Sequence, residues 1–156
     1  MIAQEITKKI QEAMKAKDEI RLSTLRMLSS ALNYEKIAKQ HDLTEDEELV
    51  VVQKEAKIRK DAIDALQQAK GKNTTSSADE LLDKLKKEEE ELKILQEYIP
   101  EEMGEKELSD LVIEVIKETG AEGMKDMGRV IGAVKAKVGM KAEGGRIAQL
   151  VKERLG

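Results

Sequence analysis

One proline, Pro100, stands in 156 residues, and that leaves almost every segment free to be helical. Proline is the strongest helix breaker, because it lacks an amide donor and its ring clashes with the preceding turn. All-β folds, which need frequent turn punctuation, are disfavoured for the same reason. Aromatic residues are nearly missing too: Tyr34 and Tyr98 are the only ones, with no Phe or Trp. Aliphatic side chains must therefore fill any core, and base-stacking platforms are scarce. Charged residues reach 38% against 40% apolar, the balance of long solvated helices in bundles. The fold class expected is all-α.

Helical periodicity fills in the elements. Ile2, Ile6, Ile10, Ala13 and Met14 mark a helix over about 2–16, broken at Lys17-Asp18. A second stripe, Ile20, Leu22, Leu25, Met27, Leu28, Ala31 and Leu32, runs through Tyr34 to about Ala38, making a two-helix hairpin. Thr44-Glu45-Asp46-Glu47 has the form of a capping box and opens a third helix. Its stripe is Leu49, Val52, Ala56, Ile63 and Leu66, with Arg59 in a seam position where a cation must be exposed or paired. After a turn cluster, Gly71-Lys72-Asn73-Thr74-Thr75-Ser76, a second box at Ser77-Ala78-Asp79-Glu80 opens a fourth helix with Leu82, Leu85, Leu92, Leu95 and Ile99 on its seam. Pro100 pushes the residue before it out of the helical region, so a boundary is placed there. The expected organisation is an N-terminal helical domain over 1–98 and a C-terminal bundle of three short helices over 99–156, at about 105–118, 126–138 and 143–154.

The chain has no cysteine, which removes disulfides, thiolate metal sites and cysteine nucleophiles. No stretch approaches the roughly 20 apolar residues of a membrane span, and the first residues begin an amphipathic pattern in place of a signal peptide. A cytoplasmic protein with no membrane partner is expected. The net charge of −4 hides a gradient: residues 99–120 carry 2 basic and 7 acidic side chains, whereas residues 121–156 carry 8 basic and 4 acidic. A locally basic end of this kind is a pointer to nucleic acid.

The run Leu95-Gln96-Glu97-Tyr98-Ile99-Pro100, then Asp126-Met127-Gly128-Arg129-Val130-Ile131-Gly132, then Gly139 to Leu155 resembles the signature of the YqeY family. Arg26-Met27-Leu28 and Glu55-Ala56-Lys57 with Arg59-Lys60-Asp61 also sit where that family has similar runs. Gly104, Ala136, Lys141 and Glu143 depart from its usual Ser, Pro, Arg and Asp. The resemblance implies a helical N-terminal domain joined to a domain similar to the tail of GatB, the tRNA-dependent amidotransferase subunit whose tail helps to hold tRNA. The family label would also imply a carbon–nitrogen ligase with glutamine as amido donor.

The residues give little support to catalysis. The one histidine, His41, falls in a polar loop, and Ser23, Ser29 and Ser30 lie within a helix with no nucleophile-elbow motif around them. No catalytic residue, metal or cofactor is expected. The binding reading rests on Lys125, Arg129, Lys135, Lys137, Lys141, Arg146 and Lys152, with Arg154 beside them, as cations for a phosphate backbone. Gly128 and Gly132, four apart on one side of a helix, and Gly144 before another helix would allow close approach. Lys54, Lys57, Arg59 and Lys60 form a secondary basic cluster. The expected function is an accessory module binding tRNA or another structured RNA through phosphates and shape, with no DNA specificity. A protein–protein adaptor using the N-terminal helices, and the ligase activity of the family label, are the alternatives.

Overall fold

The structure, a computed structural model, describes residues 1–70, 72 and 77–156. Its helices are α1 (Ile2–Ala16), α2 (Glu19–Lys39), α3 (Glu45–Ala69), α4 (Ala78–Gln96), α5 (Glu105–Thr119), α6 (Met127–Val138) and α7 (Gly144–Leu155), with 3-10 turns at Met124–Asp126 and Gly139–Lys141. Among the described residues there is no strand, and no helix is long and apolar enough to cross a membrane. The protein is all-α. It packs as two compact units, Met1–Ile99 and Pro100–Gly156. The expected turn cluster at 71–76 lies outside the described residues, Lys72 apart.

Local chemistry explains the helix ends of the first unit. Lys17 and Gln40 take left-handed conformations, φ 54 and 59, that stop α1 and α2. Asp18 restarts the chain, its carboxylate accepting from the Arg21 amide at 3.0 Å. The box at Thr44 is complete: its hydroxyl accepts from the Glu47 amide at 3.3 Å, and the Glu47 carboxylate accepts from the Thr44 amide at 2.9 Å. At Ser77 only half of the expected box forms. The hydroxyl accepts from the Glu80 amide at 3.2 Å, while Glu80 gives no return bond among the described residues.

The start of α1 has no local cap, because Met1 offers no side-chain acceptor. Glu48, in the first turn of α3 and fully buried, supplies it. Its carboxylate accepts from the Ile2 amide at 2.6 Å and the Ala3 amide at 3.1 Å. A negative group at a helix N-terminus satisfies orphan donors and complements the helix dipole.

The core of this unit is aliphatic, built on Ile6, Leu28, Leu32, Val52, Ala56 and Leu95. Arg59 is 4% exposed. Its Nε donates to Glu91 at 3.2 Å and its Nη1 to Glu55 at 2.7 Å, tying α3 to α4. Four expected core positions turn outward instead, Met14 near the end of α1 among them. Met27 and Tyr34 lie nearly opposite the buried line of Thr24, Leu25, Leu28 and Leu32 on α2, and Leu82 is exposed on α4. Hydrophobicity alone does not say which side of a helix is covered.

Glu47 also receives the Lys39 ammonium at 2.9 Å, and that bond with the Thr44 amide holds its carboxyl down at about 2. A carboxyl lowered in the folded state contributes stability above its unfolded pKa, and the contribution is lost as pH falls through the folded value. Wild-type protein is expected to lose more unfolding free energy than Glu47→Gln between about pH 4.5 and about pH 2, by urea titration at each pH. Equal losses would show that the pair adds no pH dependence.

The second unit is a three-helix bundle. Leu108, Val112 and Val115 from α5, Val130, Val134 and Val138 from α6, and Ile147 and Val151 from α7 form its core. Gly120, φ 66, ends α5, and Gly139, at φ 56 and ψ −123, ends α6 in a region open to glycine. The Met103 amide donates to the Lys141 carbonyl at 2.8 Å, fastening the lead-in of α5 to the α6–α7 connection.

Candidate nucleic-acid interface

At about 100° per residue, Val130, Val134 and Val138 place one side of α6 in the core and leave Gly128, Gly132 and Ala136 on the other. Those three are exposed. A Cβ built on Gly128 or Gly132 meets nothing within 4 Å, so neither glycine is packed beneath a neighbouring helix. Glycine inside a helix costs roughly 0.5–1 kcal/mol relative to alanine. Two such positions in one short helix, with open space above both, forgo stability that packing does not restore.

Cations border this bare strip. On the same angular reckoning Arg129 lies along one edge and Lys135 along the other, and Lys125 precedes the helix in the 3-10 turn. Lys125 and Lys135 are in no ion pair among the described residues. Arg129 is exposed and holds Asp126 at 3.2 Å through one nitrogen only. Lys135 reaches across the start of α7: a Cβ on Gly144 would lie 3.2 Å from its Cε and Nζ. The N-cap of α7 is the exposed Glu143, whose carboxylate makes no cap hydrogen bond, and the first turn itself holds no acid, so the free amides of that turn face the same side as the Lys135 ammonium.

Other candidates are drawn elsewhere. Lys137 donates to Glu118 on α5 at 2.7 Å, a bond that raises its pKa, and Arg146 stands 3.9 Å from Glu102. Arg154 donates to the Ser109 hydroxyl of α5 at 3.3 Å. Lys141 and Lys152 are exposed; Lys152 lies two turns beyond Gly144 on α7. The acid-rich stretch ahead of the basic end folds against it and neutralises part of it. The opposite charges of residues 99–120 and 121–156 were the available signal, but the individual pairs were not legible.

In the first unit, Lys54, Lys57 and Lys60 are exposed on α3, but Arg59 does not belong with them. It is buried and committed to Glu91 and Glu55, so the secondary cluster is three lysines. His41 is exposed, its Nδ1 2.7 Å from the Asp42 carbonyl and its Nε2 3.7 Å from Glu47. Among the described residues no three acids or histidines gather to hold a metal ion.

A family model described as Yqey-like protein matches residues 3–155. The chain belongs to the YqeY family. The match runs through both compact units, so the YqeY-like region includes the basic face of α6 and α7 as well as the four helices before it. No curated protein is similar enough to match.

Proposed function

We propose that this YqeY-like chain is an RNA-binding accessory module. The face that binds is the outward side of α6, with Lys125, Arg129 and Lys135 on the phosphates and the Gly128–Gly132 backbone close to the ribose edge. Lys152 and Lys141 add charge from α7 and its lead-in. The observation that supports this is the bare helix side flanked by Lys125 and Lys135, in no ion pair among the described residues, and by Arg129, whose guanidinium gives only one nitrogen to Asp126, kept at a cost in helix stability. The YqeY sequence pattern, which implies a C-terminal domain similar to the tail of GatB, is the ground for naming tRNA as the partner.

Adding methyl groups to the strip separates binding from folding. Gly128→Ala with Gly132→Ala is expected to stabilise the second unit by about 0.5–1 kcal/mol per site and to weaken retention of total tRNA on filters at low salt. Lys125→Glu with Lys135→Glu is expected to weaken retention by roughly tenfold or more and to reduce the slope of log K against log salt by about 2. Lys137→Ala, already paired with Glu118, changes little. Retention that survives both the alanine pair and the charge reversal removes this face as the RNA site.

A further inference from the structure

Apart from the face of α6, and independent of the RNA-binding reading, one contact in the first unit joins unlike groups. The Arg59 guanidinium lies between α3 and α4 and is 4% exposed. Its Nε donates to the Glu91 carboxylate and its Nη1 to that of Glu55. Among the described residues its Nη2 finds only the thioether sulfur of Met27 on α2, at 3.6 Å. A thioether is a weak acceptor, and a desolvated polar group without a full partner is costly. One edge of a buried cation is therefore poorly served. The methionine beside it is open to solvent: Met27 is 48% exposed, which gives a small reagent access to it and leaves room for one added atom. The chain has no cysteine, so methionine is the side chain through which it can undergo reversible oxidation.

We propose that Met27 is a modification site, oxidised reversibly to the sulfoxide, whose oxygen accepts from the Arg59 Nη2 in place of the sulfur. The oxidant is hydrogen peroxide or another hydroperoxide. A sulfur lone pair attacks one peroxide oxygen and the O–O bond breaks. That oxygen stays on sulfur, and its proton passes to the departing hydroxide, which leaves as water when the oxidant is hydrogen peroxide and as an alcohol when it is an alkyl hydroperoxide. Sulfur loses two electrons and the peroxide gains them, and sulfoxide reductases reverse the change. The sulfoxide is a stronger acceptor than the thioether, and its bond to a guanidinium is charge-assisted. The rotatable bonds of the methionine side chain let the oxygen turn toward Nη2. A sulfoxide usually disrupts packing by setting a polar group among apolar ones; at Met27 it completes a polar cluster. Met14 is the contrast. It is 53% exposed, and its sulfur lies 3.9 Å from the Nη2 of Arg26, but Arg26 is exposed and water serves its donors, so an oxygen added there replaces water and gains little.

The test treats the full-length chain with hydrogen peroxide, follows each methionine by peptide mass mapping, and unfolds the product in urea with tyrosine emission as the signal. Oxidised wild type is expected to show an unfolding equilibrium constant roughly tenfold lower than the untreated protein. Met27→Leu, treated in the same way, accounts for the other methionines and is expected to show no such gain. Arg59→Met with Glu91→Leu, which removes the cation, is expected to lose the gain as well, and the Met27→Leu comparison decides the matter alone if that double variant does not fold. A mixture of the reductases for both sulfoxide epimers is expected to return wild type to its starting stability. The proposal is overturned if Met27 stays reduced under peroxide that converts Met14, or if oxidised wild type gains no stability relative to oxidised Met27→Leu. It is overturned equally if the gain persists without the Arg59 guanidinium, or if the reductases leave Met27 oxidised.

Discussion

Arg59→Ala is expected to destabilise the first unit by about 3–5 kcal/mol, the usual cost of removing one partner of a buried ion pair. The loss is not mainly that of a favourable bond. Glu91 is 6% exposed, and without the guanidinium its carboxylate stays between α3 and α4 with no cation against it. Glu55, more accessible, can turn toward water. The signature of this cause is recovery in a double variant: Arg59→Met with Glu91→Leu removes both charges, keeps the volume and regains most of the stability. Unfolding in urea measures all three proteins. If the double variant is as unstable as Arg59→Ala, packing of the arginine stem, including its Nη2 contact with the Met27 sulfur at 3.6 Å, is the dominant contribution instead.

Glu48→Ala is expected to cost about 2–4 kcal/mol, since it removes two charge-assisted bonds and strands two amide donors of α1 in a part-buried site. Glu48→Gln keeps an acceptor oxygen and the side-chain shape, and should cost less. The effect is local in origin, so amide hydrogen exchange in the first two turns of α1 is expected to accelerate more than exchange in α3. Uniform acceleration would mean that Glu48 supports the whole unit through packing and not α1 through its terminus.

Much of the fold was legible because helix ends are written in neighbouring residues. Thr44 and Glu47, Gly120, and the Lys17-Asp18 break act within a few positions of themselves, and the structure places those ends within a residue or two of the sequence reading. The Glu48 cap was not legible, because its partners lie 45 and 46 positions away and a glutamate in the first turn of a helix already has a sufficient local reason to be there. Arg59 was legible halfway: its seam position required exposure or a partner, but the choice of Glu91 depended on the register of α4. On α6 the open side followed from the valine spacing, while the pairing of Lys137 with Glu118 depended on α5 lying alongside. Met27 and Tyr34 were misplaced because α2 carries apolar residues on two sides, and periodicity cannot rank one against the other.

The placement of the two tyrosines has a practical result for anyone following this protein by light. Both rings belong to the first compact unit, Tyr98 half-buried there and Tyr34 facing solvent, and residues 100–156 contain no chromophore beyond the peptide bond. Intrinsic fluorescence and near-ultraviolet signals therefore report on the N-terminal helices, and a melt of α5 to α7 is silent in both. Far-ultraviolet ellipticity sees the two units together, so a mismatch between the two kinds of melting curve reads out whether they come apart at one temperature or at two.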